Sequence, residues 1–154
     1  METLFEADDA VLKYDHQRRV FKFIWNGEVS FQTLKPLVEK ACEITESVEN
    51  ASIIFDRRKL ISYAPDARIW LKHSFMKSEG KRLMMKIKKI AALNSKSPFA
   101  QVISKVLVGA LKFYNRKIQY KVFESEEEAT NWIYANPVSM QAANKGKSWF
   151  SIFR

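Results

Sequence analysis

Few residues of this 154-residue chain have the types and spacing that catalysis or metal binding requires. Its single cysteine, Cys42, lies on a stretch with helical apolar periodicity, where a free cysteine is more often a small buried hydrophobe than a nucleophile. The two histidines, His16 and His73, have no cysteine, histidine or acid at metal-ligand spacing. The sequence therefore predicts a protein that is not an enzyme and that uses no metal and no cofactor.

Phosphate-binding loops are also excluded. The four glycines, at positions 27, 80, 109 and 146, are too far apart for a phosphate loop or a dinucleotide-binding fingerprint. The acids of residues 124–128 resemble the carboxylates of a general acid–base catalyst. Ser125 and Glu128, however, have the spacing of a capping box, and such acids are typical of a helix N-terminus.

The charge distribution is more informative. Lys and Arg number 26 against 17 acids, a net charge of +9, and residues 57–121 hold 17 basic and 2 acidic residues, a net of +15. This pattern indicates an anionic partner, although a merely solvated basic surface explains it equally well. Nucleic acid ranks last among the partners, because no strand interleaves aromatic and basic residues as single-strand platforms do.

The best candidate binding residues follow two predicted strands. Arg57, Arg58 and Lys59 come after a buried strand at residues 52–55, and Lys96 follows another at residues 87–93. Ligands of parallel sheets bind beyond the carboxyl ends of the strands. We therefore expect these four cations at one rim, where they would take up sulfate, phosphate or a partner carboxylate. The alternative is a basic loop without a binding role.

The elements that must position these residues alternate along the chain in the order β-β-α-β-α-β-α-β-α. This order predicts a single α/β domain with a mixed, mostly parallel five-stranded sheet and about four helices, the first strand being antiparallel. Pro36 implies either a later start or a kinked first turn for the first helix, and Gly80 is expected to follow the end of a helix that begins at Pro65. The strands are predicted at residues 10–14, 20–25, 52–55, 87–93 and 118–123, and the helices at 30–48, 65–75, 99–114 and after Ser125.

Two segments are unusually apolar. The helix at residues 99–114 is expected to be deeply buried on the sheet, with a homodimer face or the wall of an apolar cavity as alternatives. The tail, residues 137–154, ends in Trp149-Phe150-Ser151-Ile152-Phe153-Arg154. It is expected to pack on its own domain or on a neighbour, and an anionic lipid or membrane surface is the alternative.

Three segments carry a family resemblance: Ile53-Ile54-Phe55-Asp56-Arg57-Arg58-Lys59-Leu60, Lys89-Ile90-Ala91-Ala92-Leu93-Asn94, and the closing strand, acidic cap and helix of residues 120–133. In order and spacing the chain resembles the SpoIIAA-like group of the STAS and Sec14-like superfamily. The resemblance implies a STAS-like domain over residues 1–136 that acts as a regulatory protein–protein interaction module. The alternative it implies is a carrier of lipid or another apolar ligand, or a peripheral membrane-surface protein of Sec14-like type.

The phosphorylated Asp-Ser-Gly-like segment of anti-sigma-antagonist STAS proteins has no counterpart here. At the corresponding place, residues 61–68, no serine precedes a glycine, so the phospho-switch does not carry over. Ser62 and Tyr63 are the nearest candidate phospho-acceptors.

A cytoplasmic location is expected. The first ten residues carry four acids and no basic residue, unlike a secretory signal, and the longest apolar run has six residues where a spanning helix needs roughly 20. A single cysteine fits a reducing compartment.

Overall fold

The computed structural model describes residues 1–135; the tail at 137–154 and the predicted domain boundary at residue 136 lie outside the described residues. The strands are β1 (Glu2–Glu6), β2 (Ala10–Asp15), β3 (Val20–Val29), β4 (Ala51–Tyr63), β5 (Ile87–Leu93) and β6 (Gln119–Phe123). The helices are α1 (Phe31–Thr45), α2 (Pro65–Trp70), a π-helical segment (Leu71–Phe75), α3 (Glu79–Met85), α4 (Pro98–Tyr114) and α5 (Glu126–Tyr134).

The six strands form one sheet in their sequence order, β1 to β6. β3, β4, β5 and β6 are parallel, and β2 joins β3 as the antiparallel partner of a hairpin, as predicted. β5 lies in the interior of the sheet, also as predicted. The prediction lacked β1, whose Leu4 and Phe5 pack against the core between flanking acids. The α/β class is confirmed, with six strands instead of five and five α-helices where about four were expected.

The strand order decides where the helices lie. Crossovers between parallel strands are right-handed, so a chain that adds each new strand on the same side places every crossover helix on one face. α1, α2, α3 and α4 share that face, and α5, which follows the last strand, packs against β4, β5 and β6 from the other face.

β3 and β4 are longer than predicted. β3 continues through Asn26 and Gly27, where Gly27 adopts a φ of +69° that favours glycine. β4 continues through the basic run that was predicted as a loop, with register shifts opposite residues 24–26 and 27–28 of β3. Bulges of this kind let a strand stay paired while its side chains change direction.

The helices correct two further predictions. α1 begins at Phe31, with Ser30 as its N-cap, and runs unbroken through Pro36. Gly80 does not follow a helix end; it lies buried within α3, against the ring and carbonyl of Phe75.

α4 differs most from expectation. Among its residues Ala100 and Leu111 are buried and all the others are half-buried or exposed, so the predicted deep burial is wrong. The main core instead joins the inner faces of β2 to β5 to α1 and α3, with a smaller apolar cluster under α5. Within residues 1–135, no helix combines the length and the apolar character needed to cross a membrane.

Candidate functional site

The basic run of β4 divides between the two faces of the sheet. Side chains alternate along a strand, so Arg57 points toward α4 while Arg58 points toward α5. Lys59 and Lys96 are exposed. The predicted rim of four cations is therefore not formed, because Arg57, Arg58 and Lys59 lie inside β4 and the two guanidinium groups occupy opposite faces of the sheet.

Arg58 is held by acids. Its Nη2 and Nε donate to the two carboxylate oxygens of Asp56 at 2.8 and 2.9 Å, and Nη2 also reaches Glu126 at 3.2 Å. Lys22 of β3 contacts the same Glu126. These four residues, here called the acid–base cluster, fasten α5 to β3 and β4.

The acid–base cluster shifts the titration of its carboxyl groups. Burial acts to raise the pKa of Asp56, but the hydrogen bonds and charge of Arg58 outweigh it and hold that pKa below its usual value. The hydrogen bond from Lys22 is the main cause of a lowered pKa at Glu126. The cluster is already neutralised, so Arg58 is a structural ion-pair partner rather than an open anion site.

Arg57 has a different environment. It is 6% exposed, and its guanidinium donates to the carbonyls of Leu93 at 3.2 Å and Ala100 at 3.1 Å, and to the hydroxyl of Ser104. All three acceptors are neutral. No acid of residues 1–135 forms an ion pair with Arg57.

Arg57 also lines a groove between α4 and β6 with a volume of about 460 Å³, which we call the α4–β6 groove. α4 contributes Ser104 and Lys105, and β6 contributes Tyr120. The residues around the groove are Arg57, Asn94, Gln101, Ser104, Lys105, Val108, Tyr120 and Val122. Sequence reasoning named Arg57 but missed the others, although residues 98–117 hold four basic residues and no acid.

The outer surface of α4 carries an apolar stripe, defined as Val102, Val106, Gly109 and Phe113. Val102, Val106 and Phe113 are 63%, 61% and 80% exposed. A side chain added at Gly109 would meet nothing within 4 Å. The spacing of four, three and four residues places all four positions on one side of the helix.

The two predicted phospho-acceptors have different environments. Tyr63 is buried between the rings of Trp25 and Phe99, and burial raises the pKa of its hydroxyl. A kinase cannot reach that hydroxyl in the folded domain, so the prediction of Tyr63 as a candidate phospho-acceptor is wrong. Ser62 is half-buried and donates to Glu28 at 3.2 Å; its role as an acceptor stays a prediction.

The remaining candidates for chemistry stay apart. Burial raises the pKa of the Cys42 thiol to about 12, which leaves it protonated at neutral pH. His16 contacts Glu2 at the exposed edge of the sheet, and His73 is exposed on the π-helical segment. No group of three or more His, Cys, Asp and Glu side chains in the described part of the chain is placed to hold a metal ion.

An apolar cavity of about 90 Å³ lies between the sheet and the helical layer. Phe23 and Ile53 of the sheet, with Leu34, Phe75 and Leu107 of the helices, are among its lining residues.

Comparison with solved structures identifies the fold. The chain is similar to an uncharacterized protein of the DUF3478 family from Shewanella loihica PV-4, described as having a SpoIIAA-like fold. The match covers 84% of this chain and 98% of that chain, with a TM-score of 0.53 and 11% identity. The chain has a SpoIIAA-like fold. No family model matches the sequence, and no curated protein does. The resemblance inferred from the sequence is thus confirmed at the level of the SpoIIAA-like fold.

Proposed function

We propose that the chain is a non-enzymatic, regulatory protein–protein interaction module that binds its partner through the apolar stripe of α4. The observation that carries this proposal is the exposure of Val102, Val106 and Phe113 on one helix face. Large apolar side chains that cluster on a surface are typical of interaction sites, whereas single ones are common on any protein.

The shape of the apolar stripe favours another protein. Gly109 leaves a gap between Val106 and Phe113, where a partner helix or strand can approach the backbone closely. Side chains of the partner would then interlock with the flanking residues, as ridges pack into grooves between helices.

Charge defines the partner's chemistry. Lys105, Lys112, Arg116 and Lys117 lie on or just beyond α4, and none of them forms an ion pair with an acid of residues 1–135. A second copy of the chain would bring like charges together, which opposes association. The partner we propose is a protein that presents an apolar patch with acidic residues around it.

The size of the apolar cavity supports this function over lipid carriage. At about 90 Å³ it is smaller than an engineered cavity of about 150 Å³ that binds benzene. An acyl chain needs considerably more space than benzene, so a lipid would have to displace core side chains.

The test is site-specific photo-crosslinking in the native cell from position 106, with position 69 as the matched control. Ile69 of α2 is 61% exposed, as Val106 is, but lies outside the apolar stripe. We expect position 106 to crosslink to one acidic protein, and Phe113→Asp to abolish that adduct while Ile69→Asp leaves it intact. With the purified proteins, the yield of the adduct should also fall when the salt concentration is raised before irradiation, because the surrounding charges are screened.

Three results would contradict the proposal. The first is equal crosslinking from positions 69 and 106. The second is an adduct with a second copy of this chain. The third is binding to phosphatidylserine vesicles that Val106→Asp abolishes, with no protein adduct, which would assign the apolar stripe to a membrane surface.

A further inference from the structure

The charge of Arg57 has no acid to balance it. Burying a charged group costs free energy unless an opposite charge or a full set of hydrogen bonds compensates it. Arg57 is 6% exposed and has three neutral acceptors, whereas Arg58, the next residue, has two carboxylates. The accessible Arg58 is thus paired with acids, whereas the positive charge of the buried Arg57 is not balanced by any acid of residues 1–135.

Part of the Arg57 guanidinium remains available. A guanidinium has five N–H donors, and the contacts of Arg57 use the one on Nε and two on Nη1. No fully buried side-chain nitrogen or oxygen of the described residues lacks a hydrogen bond. The Nη2 of Arg57 has no hydrogen-bond partner among the described residues, so it must border accessible space. The space that Arg57 lines is the α4–β6 groove.

Two further donors line the same groove. The ammonium of Lys105 and the hydroxyl of Tyr120 make no hydrogen bond or ion pair within residues 1–135. One N–H of the Asn94 amide is already used, because it donates to Glu124 at 2.9 Å. Glu124 is thus drawn toward Asn94 and is not among the residues that line the groove.

We propose that the α4–β6 groove binds an oxyanion, a phosphate or carboxylate, through Arg57, Lys105 and Tyr120. Hydrogen bonds from charged donors to an oxyanion are the strong ones, and the planar edge of Arg57 suits an anion oxygen. The apolar walls, Val108 and Val122, accommodate an apolar group attached to the anion. A volume of about 460 Å³ lies within the range of small-molecule sites.

The oxyanion could belong to a free small molecule or to a phosphorylated side chain of a protein. The proposal does not depend on the apolar stripe, whose residues do not line the groove. Variants of Lys105 and Tyr120 therefore test the groove, and variants of Val106 and Phe113 test the stripe.

The experiment is a titration of the full chain with phenyl phosphate, followed by backbone amide chemical shifts. Inorganic phosphate, benzoate and a short phosphotyrosine peptide are the parallel probes, and benzyl alcohol is the uncharged control. We expect saturable shifts at residues 104, 105 and 120 with the anions and none with benzyl alcohol. Lys105→Ala and Tyr120→Phe should each raise the Kd of phenyl phosphate about tenfold or more, as for lost hydrogen bonds to a charged group.

Lys112→Ala and Lys96→Ala are the matched controls, because both lysines are exposed and neither lines the groove. They should leave the Kd unchanged. Tighter binding of the phosphotyrosine peptide than of phenyl phosphate would support a protein source, and the reverse order a free ligand. Shifts that do not saturate, or a Kd that Lys112→Ala raises as much as Lys105→Ala does, would mean an adventitious ion only and would overturn the proposal.

Discussion

Substitution by alanine should have opposite effects on the stability of the domain at Gly109 and at Gly80. Gly109 lies in the interior of α4, and a Cβ there would meet nothing within 4 Å. Glycine costs a helix interior about 0.5–1 kcal/mol relative to alanine. Gly109→Ala should therefore stabilise the domain by about that amount, which corresponds to a rise in Tm of roughly 1–4 °C at this chain length.

Gly80→Ala should do the reverse. A Cβ at position 80 would lie 2.8 Å from both the carbonyl oxygen and a ring carbon of Phe75. The ring can turn, but the backbone oxygen belongs to the packed π-helical segment and moves less easily. Overpacking of this kind costs about 1–3 kcal/mol, a fall in Tm of roughly 2–12 °C.

Thermal unfolding followed by circular dichroism measures both changes, with urea titration giving the free energy of unfolding. A Gly109→Ala variant that is less stable than the parent would refute the exposure of the apolar stripe, because only a covered position penalises the added methyl group. A Gly80→Ala variant of unchanged stability would refute the close approach of α3 to Phe75.

Three further predictions concern single groups. Glu126→Gln should lower stability at pH 7 by about 1 kcal/mol or less, since the carboxylate is partly exposed. Because the folded state lowers the pKa of Glu126, its carboxylate stabilises the parent fully above about pH 4.3, the usual glutamate value, and this stability is lost as the pH falls through the folded pKa. Urea titrations across pH 3–7 should show a smaller fall in the free energy of unfolding for the variant than for the parent. Cys42 should react with iodoacetamide at pH 8 at least about a hundredfold more slowly in the folded than in the unfolded chain, and equal rates would contradict the raised pKa of its half-buried thiol. Ser125→Ala should cost about 1 kcal/mol in thermal unfolding, because the hydroxyl accepts the Glu128 amide at the start of α5, and an unchanged Tm would show that water replaces this cap.

The parts of the fold that were predictable have local causes. β5 ends in four consecutive apolar residues, 90–93, and the start of α5 combines Ser125 with Glu128. Each of these signals acts within a few residues, so the chain expresses it whatever the rest of the fold does.

The position of Arg57 was not predictable in the same way. Four charged residues in succession, from Asp56 to Lys59, are typical of a loop, and nothing local shows that β4 continues through them. The acceptors that receive Arg57 come from β5 and α4, more than 30 residues further along the chain. Tertiary contacts of this range decide the direction of the side chain.

The apolar helix α4 illustrates a second limit. Its composition shows that its apolar surface must be buried, but it does not show whether that surface packs against the same chain or against another molecule. The prediction chose the sheet, whereas the sheet takes Ala100 and Leu111 and leaves the apolar stripe outside.

The location of both proposed sites follows from the strand order. Because β3 to β6 are added in sequence, α4 is the last crossover helix; it packs against β4 and α3, and a groove separates it from the edge strand β6. Its inner side borders the α4–β6 groove and its outer side bears the apolar stripe. Successive residues of a helix point about 100° apart, so Lys105 and Val106 are adjacent in sequence yet serve different surfaces. Lys105→Ala should therefore weaken oxyanion binding strongly, and should weaken binding of a protein partner only through the charge that it removes beside the apolar stripe. Val106→Asp should abolish binding of the protein partner and leave oxyanion binding unchanged.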